Sequence, residues 1–206
     1  MEDINKIFGE IDYHLMNDSK PSEYLNTLLK ENKLNKYPFN MLGDLEKVEQ
    51  EPKHHPEGNV WKHTMLVVDN AAQSKDKSSD KRAFMWGALL HDIGKAKATK
   101  VRKGRITAYD HDKMGEELAE EFFKCFNEPQ DFVNKVVKLV RWHMQTFFIA
   151  KNMSFAEPEK MKSETSTSEI ALLSLCDRLG RKPISKEREK EERESINTFL
   201  RKMKKI

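Results

Sequence analysis

Four polar side chains interrupt helical stripes that are otherwise apolar, and they are His63, His91, His143 and Asp177. Each has hydrophobic neighbours three, four or seven positions away, and residues with these separations share one face of a helix. All four are therefore expected to point into the core. His111, at the predicted start of another helix, could turn inward in the same way.

This set of inward polar groups predicts a metal site. A single inward histidine is more often a hydrogen-bonded core residue, but a buried carboxylate needs a partner or must take up a proton. A divalent cation satisfies carboxylates and imidazoles together. Structural zinc sites normally use closely spaced cysteines, which the sequence lacks. Ligands as far apart in sequence as His63 and Asp177 indicate a site between packed helices.

The adjacent pair His91-Asp92 is the sharpest element of this pattern. It closes the predicted helix in ALLHDIG, where Gly94 is free to adopt a left-handed C-terminal conformation. Neighbouring helical residues lie about 100° apart, so one ion could be held from two sides near the helix end. Asp92 has two carboxylate oxygens and could bridge two ions, which a histidine cannot do.

The elements that must position these residues are helices. Hydrophobic periodicity predicts an all-α fold with helices over 3–16, 21–34, 60–74, 81–94, 112–127, 130–144, 166–180 and 186–204. Residues 35–59 contain several prolines and glycines and are predicted to be an irregular connection. Only the stretch 100–108 could hold strands or a flexible loop.

Composition limits the possible partners and location. The chain has 206 residues, with 37 Lys and Arg against 34 Asp and Glu, for a net charge of +3. So small an excess does not indicate RNA binding, although it leaves RNA possible. The sequence shows neither a signal peptide nor a membrane span, and its two cysteines fit a reducing compartment. A cytoplasmic location without membrane association is the expectation.

The order His63, His91-Asp92, Asp177 is similar to the signature of the HD-domain superfamily of metal-dependent phosphohydrolases. The surrounding text resembles the HD domain attached to some bacterial tRNA nucleotidyltransferases and poly(A) polymerases. The segments that carry this resemblance are HHPEGNVWKHTMLVVDNA, LLHDIGKAKAT, YDHDKMGEELAEEFF, RWH and CDRLGR. It implies an HD domain over 50–182. The remaining residues are predicted to form an N-terminal helical extension and connection over 1–49 and a C-terminal helix over 183–206 that packs on the domain. The resemblance does not extend to the nucleotidyltransferase catalytic domain, so CCA addition is not expected of these residues.

The resemblance implies one or two divalent ions. His63, His91, Asp92 and Asp177 would bind the first, and Asp92, His111 and His143 would bind the second. His111 or His143 could instead hydrogen-bond substrate or a metal-bound water. Nitrogen and oxygen ligands admit Mn, Mg, Co, Ni, Fe or Zn.

The chemistry that the resemblance implies is hydrolysis of a phosphate ester by metal-activated water, with Asp92 and Lys95 as catalytic residues. Lys95 would neutralise a phosphate oxygen, or alternatively face solvent near the helix end. Arg178 and Arg181 would bind the phosphate, or alternatively form surface ion pairs. The expected substrate is a small nucleotide carrying a monoester or a 2′,3′-cyclic phosphate.

Two other functions fit the same residues. The six-ligand set loaded with two irons could activate dioxygen, which makes a di-iron oxygenase an alternative. A non-catalytic module that binds nucleotide or RNA is the other alternative, although such a module would be expected to have lost a ligand and none is lost here.

Overall fold

The computed structural model describes residues 4–206. Its helices are α1 (Ile4–Asn17), α2 (Pro21–Lys30), α3 (Asn40–Gly43), α4 (Val60–Ala72), α5 (Lys81–Leu90), α6 (Lys95–Ala98), α7 (His111–Phe123), α8 (Gln130–Trp142), α9 (Gln145–Ala150), α10 (Pro158–Glu164), α11 (Thr167–Leu179) and α12 (Lys186–Met203). Two short strands, β1 (Lys100–Arg102) and β2 (Arg105–Thr107), form an antiparallel hairpin. The prediction of an all-α fold is confirmed.

Three of the described helices have an N-cap residue whose side chain accepts a backbone hydrogen bond. The Asn59 side chain accepts a hydrogen bond from the backbone of Lys62 at the start of α4, and Asp80 does the same at the start of α5. Ser185 caps α12. An N-cap of this kind satisfies one of the backbone N–H groups that a helix start leaves without a partner, and it typically stabilises the helix by ~1 kcal/mol.

The helices that carry the inward polar residues pack against one another. Helix α5 contacts α4, α8 and α11, and α7 lies along α8. The apolar periodicity that predicts a helix over 130–144 forms a buried face of α8 at Val133, Val136, Val137 and Val140. The tight packing of these helices holds the ends of α4, α5, α7, α8 and α11 close to one another.

The N-terminal helices join the same core. Ile7, Phe8, Ile11 and Leu15 of α1 are buried in one cluster with the residues of α4 and α5. The Asp12 carboxylate also accepts hydrogen bonds from Arg82 and Trp86, and Asp69 on α4 accepts them from Ser22 on α2. These contacts attach α1 and α2 directly to the helices that carry the site.

The end of α5 differs from its prediction. The helix stops at Leu90, residues 91–94 form a tight turn, and α6 follows. The prediction of a left-handed Gly94 was wrong, because its φ is −66° and its ψ is −18°. A Cβ at this position would lie 2.0 Å from the carbonyl oxygen of His111 and 2.6 Å from the backbone nitrogen of Gly115. Glycine is therefore needed for the close approach of α7 to this turn.

The other predicted helices are found with ends that differ by a few residues. The first residue of the predicted helix 3–16 lies outside the described residues. The periodicity did not predict α9 and α10, which are short, and the connection 35–59 contains the single-turn helix α3. The stretch 100–108 holds strands, as the prediction allowed. Among the described residues, no helix is long and apolar enough to cross a membrane.

Candidate metal centre

The structure brings His63, His91, Asp92 and Asp177 together from α4, the 91–94 turn and α11. The Nε2 atom of His63 lies 3.0 Å from Oδ1 of Asp177 and 3.8 Å from Oδ2 of Asp92. The Nε2 atom of His91 lies 3.3 Å from the same Asp92 oxygen. All four side chains are buried. Ligand-type atoms of His63, His91 and Asp92 thus lie within 4.8 Å of one another inside the bundle, and Asp177 joins them through its contact with His63.

The other Asp92 oxygen faces a second group of nitrogens. Its Oδ1 atom lies 3.4 Å from Nε2 of His111 and 3.8 Å from Nε2 of His143. His63, His91 and Asp92 form one group of mutually close ligand atoms, and Asp92, His111 and His143 form another. Asp92 is therefore the side chain shared by two adjacent candidate ion positions.

Backbone carbonyls determine which imidazole nitrogen carries the proton. The Nδ1 atoms of His91, His111 and His143 lie 2.7–2.9 Å from the carbonyl oxygens of residues three positions earlier, Ala88, Ala108 and Val140. A carbonyl oxygen only accepts, so each Nδ1 must donate, and each neutral ring then presents a lone pair at Nε2. This is the usual arrangement of a metal-binding histidine.

The two distal histidines face each other with those lone pairs. The Nε2 atoms of His111 and His143 are 3.2 Å apart. Burial lowers the pKa of His111, and burial together with the neighbouring His111 and His91 lowers the pKa of His143 to about 4. Two neutral acceptors at this distance repel each other, whereas nitrogens each about 2.0–2.1 Å from one ion can have this separation. The two Nε2 atoms are therefore placed as two ligands of one cation would be.

The His91 ring supplies a second sign of fit. Its Nε2 atom is buried and has no hydrogen-bond partner among residues 4–206. A buried polar atom without a partner costs about 1–3 kcal/mol, and a metal ligand is a common reason for tolerating one. The donor set, its tautomers and this orphaned nitrogen all fit one or two divalent ions.

The carboxylates of the centre are ionised. Burial alone would raise the pKa of Asp92, but the positive charge of Lys95, whose Nζ lies 2.7 Å from Oδ2, holds it well below its usual value. Burial opposes ionisation of Asp177 in the same way, and Arg181 and His63 hold its pKa well below the usual value. The centre therefore presents two negative charges to a cation.

Lys95 lies inside the centre rather than in solvent. Its Nζ atom is 2.7 Å from Oδ2 of Asp92 and donates a hydrogen bond to Oε1 of Gln50 at 2.8 Å. The side chain is buried, and it lines the cavity beside the ligands. Gln50 was not identified from the sequence, because it lies in the irregular connection where no periodicity shows which side chains point inward.

Glu57 also belongs to the site, although the resembling stretch placed it, with His55 and Pro56, only at the edge of the pocket. Its Oε1 atom lies 2.7 Å from Nδ1 of His63, outside the alignment of a hydrogen bond, and 2.8 Å from Nδ1 of His55. Burial would raise the pKa of Glu57, but its contacts with His55 and His63 lower it to about 2. The Glu57 carboxylate therefore keeps Nε2 of His63 directed at Asp92 and Asp177. Its place in HHPEGN, close to the first histidine, was the available signal.

Replacing Glu57 with glutamine is expected to weaken metal binding by about 10–100-fold, because partners that orient a ligand histidine typically contribute that much. Isothermal titration of the metal-free protein with Mn²⁺ measures the change. Glu128→Gln is the matched control, since this carboxylate also contacts a nitrogen-bearing side chain, that of Arg82, but lies outside the cluster. Equal affinities for wild type and Glu57→Gln would contradict an orienting role.

The two arginines after Asp177 have different surroundings. Arg178 is buried, and its guanidinium donates to Oε2 of Glu192 at 3.2 Å and to Oγ1 of Thr146 at 3.0 Å. Arg181 is partly exposed, and its Nη2 atom lies 3.7 Å from Oδ2 of Asp177. The contacts of Arg178 attach α12 and α9 to α11. Both arginines line the cleft between α9 and α12, but of the two only Arg181 also lines the cavity beside the ligands.

A cavity of about 190 Å³ opens onto the ligands and is lined by Asp92, Lys95, His111, His143, Asp177 and Arg181. It is smaller than the clefts of about 300–1,000 Å³ that usually hold drug-sized ligands. A neighbouring cleft of about 460 Å³ shares His143, Asp177 and Arg181 with it and extends between α9 and α12. The inner cavity has room for a phosphate-sized group, and the outer cleft has room for what is attached to that group.

Comparison with known proteins agrees with this geometry. The family model described as HD domain matches residues 60–182, which is more than half of the chain. A Multifunctional CCA protein of Halorhodospira halophila is 34% identical over 97 residues, covering 47% of this chain and 22% of that protein. The Multifunctional CCA protein of Pasteurella multocida is 34% identical over 116 residues, covering 54% of this chain and 27% of that protein. The resemblance inferred from the sequence is confirmed, and the chain spans only about a quarter of the length of these relatives.

Proposed function

Since the chain belongs to the HD-domain family, we propose that it is a metal-dependent phosphohydrolase that acts on a nucleotide phosphate, either a monoester or a 2′,3′-cyclic diester. The observation that carries the proposal is the position of Asp92. Its two oxygens face two groups of histidine nitrogens, and Lys95 lies beside one of those oxygens. This combination of ligands and a buried cation suits an anionic substrate that must approach an activated water.

The residues of the centre have separate tasks in this proposal. His63, His91, Asp92 and Asp177 would hold one ion, and Asp92, His111 and His143 would hold another. A divalent ion next to a phosphate lowers the pKa of bound water and neutralises charge on the phosphoryl oxygens. Lys95, held between Asp92 and Gln50, would neutralise a phosphate oxygen at the inner end of the cavity. Arg181 would contact the phosphate from the outer side.

The different surroundings of the two arginines lead to a prediction. Arg181→Met is expected to raise KM about tenfold, since a charge-assisted hydrogen bond is worth about 1.5–3 kcal/mol. Arg178→Met should leave KM within about twofold but destabilise the fold by about 1–3 kcal/mol, because Glu192 would lose one cation and keep Arg188. Steady-state kinetics and urea unfolding of both variants measure these effects. A large KM effect in Arg178→Met would contradict the separation of roles.

The proposed activity is tested with metal-free protein and a panel of 2′-, 3′-, 5′- and 2′,3′-cyclic nucleotides. Each substrate is incubated with Mn²⁺, Mg²⁺, Co²⁺, Ni²⁺, Fe²⁺ or Zn²⁺ added in turn. Release of inorganic phosphate reports monoester hydrolysis, and chromatography of the products reports opening of the cyclic diester. We expect turnover of one substrate class that depends on added metal and is abolished by a chelator.

Failure of this assay would have a defined meaning. If the protein binds metal tightly but turns over none of these nucleotides with any ion, phosphohydrolase activity on them is excluded. Oxygen consumption by the iron-loaded protein would then support the oxygenase, and tight nucleotide binding without turnover would support a binding module.

A further inference from the structure

The β1–β2 hairpin stands at the mouth of the metal cavity. Ile106 and Thr107 of β2 line that cavity together with the ligands. The backbone N–H of Ile106 donates a hydrogen bond to Oε2 of Glu51, which lines the same cavity. The base of the hairpin is therefore attached to the edge of the metal cavity, and the turn of the hairpin does not line that cavity.

The hairpin and its approach carry a concentrated positive charge. The sequence from Ile93 to Tyr109 contains no acidic residue, and its basic residues outside the cavity are Lys97, Lys100, Arg102, Lys103 and Arg105. We call these five the hairpin cations. All five are exposed, and none forms an ion pair with a carboxylate among residues 4–206. The net charge of +3 for the whole chain conceals this local excess.

The register of the hairpin keeps these charges together. Arg102 is directly opposite Arg105, and Lys100 is directly opposite Thr107, so these side chains share one face. Like charges directly opposite each other on a strand pair destabilise it. Lys103, with φ of 50°, and Gly104, with φ of 73°, form the tight two-residue turn. The charges oppose hairpin formation, and an anionic partner on this face would remove that opposition.

An exposed aromatic ring lies beside the same face. Tyr109 is 63% exposed, and the Arg102 guanidinium lies 5.2 Å from the centre of its ring. Clustered cations beside an accessible aromatic ring suit single-stranded nucleic acid, whose phosphates pair with cations and whose bases stack on aromatic rings.

We propose that the hairpin cations bind the backbone of a single-stranded RNA whose terminal phosphate enters the metal cavity. This proposal rests on the proposed function and specifies its substrate as the end of an RNA strand rather than a free nucleotide. In the proposed function a mononucleotide would place its phosphate at Lys95 and Arg181, which would leave the hairpin cations without an anion. Three residues of extended strand reach about 10 Å from the rim, far enough to meet phosphates of adjacent nucleotides.

The test uses a variant that removes three of the hairpin cations, Arg102→Gln, Lys103→Gln and Arg105→Gln together. The matched control replaces three exposed lysines that do not line the cavity, Lys30, Lys36 and Lys124, with glutamine. Fluorescence anisotropy measures the binding of a labelled 12-nucleotide RNA, and of DNA of the same sequence, at several salt concentrations. Turnover of a 2′,3′-cyclic mononucleotide is measured separately.

The hairpin variant is expected to bind RNA at least tenfold more weakly than wild type. A plot of the logarithm of the RNA association constant against log[salt] should also be less steep by about 2, because each of the three lost phosphate contacts contributes about 0.7 to the slope. The control variant should bind RNA like wild type, and both variants should turn over the mononucleotide like wild type. Equal RNA binding by wild type and the hairpin variant would overturn the proposal. So would an acidic peptide that competes as well as RNA, which would assign this face to a protein partner.

Different results would contradict the proposed phosphohydrolase activity and the proposed RNA-binding site. Loss of RNA binding in the hairpin variant without turnover of any nucleotide by wild type would contradict the phosphohydrolase but leave the RNA site in place. Mononucleotide turnover combined with no RNA binding by wild type would keep the phosphohydrolase and overturn the RNA site. Tighter binding of DNA than of RNA would contradict the choice of RNA.

Discussion

Replacing Asp92 with asparagine is expected to lower kcat/KM for phosphate-ester hydrolysis by about 1000-fold or more. The substitution keeps the shape of the side chain but removes the negative charge that faces both groups of histidine nitrogens. Metal ions typically supply several kcal/mol of transition-state stabilisation, and each 1.36 kcal/mol corresponds to a factor of ten in rate. Metal binding should weaken in the same variant, which titration calorimetry measures alongside the kinetics.

A control separates this effect from a general loss of stability. Asp12→Asn removes a partly buried carboxylate that pairs with Arg82 and Trp86 of α5 and does not belong to the ligand cluster. It should destabilise the fold while leaving metal affinity and turnover per folded molecule unchanged. Asp92→Asn with wild-type metal affinity and wild-type turnover would contradict the role given to this carboxylate.

Replacing Gly94 with alanine is expected to destabilise the protein by about 3 kcal/mol or more and to weaken metal binding. The backbone torsions at Gly94 suit any residue, so the effect comes from space alone. The added Cβ would lie 2.0 Å from the carbonyl oxygen of His111. Because that oxygen belongs to the backbone of α7, the clash is relieved only if α7 moves. Overpacking typically costs about 1–3 kcal/mol, and a backbone clash belongs at the upper end. In a chain of this size the Tm should fall by roughly 6–12 °C.

Gly9→Ala is the matched control for this substitution. Gly9 lies inside α1, and a Cβ there would meet no atom within 4 Å. Alanine should therefore stabilise the helix by about 0.5–1 kcal/mol and leave the site unaffected. Calorimetric unfolding of both variants, with metal titration, gives the comparison. A Gly94→Ala protein as stable as wild type would contradict the packing of α7 against the 91–94 turn.

Much of the fold and of the cluster could be predicted from the sequence because one physical rule governs both. Polar residues that share a face with apolar ones must be buried, and the only charged or imidazole groups that a core tolerates are those with a partner. His63, His91, His143 and Asp177 follow that rule, and the structure brings their side chains together. Long helices with strong periodicity, such as α8 and α11, were predicted for the same reason.

The parts that could not be predicted depend on contacts between segments distant in sequence. The need for glycine at position 94 comes from the close approach of the α7 backbone, which periodicity within one helix does not report. Gln50 and Glu57 lie in a connection without regular structure, so their direction depends on tertiary packing. The partners of Arg178 come from α9 and α12, and the sequence near Asp177 contains no sign of them.

The most direct test of the metal centre is anomalous diffraction from crystals of the protein loaded with Mn²⁺ after removal of all metals. A peak is predicted among His63, His91, Asp92 and Asp177, and a second peak among Asp92, His111 and His143, with Asp92 bound to both ions. Absence of anomalous density at this cluster in crystals that contain Mn²⁺ elsewhere would contradict the assignment of these residues as metal ligands.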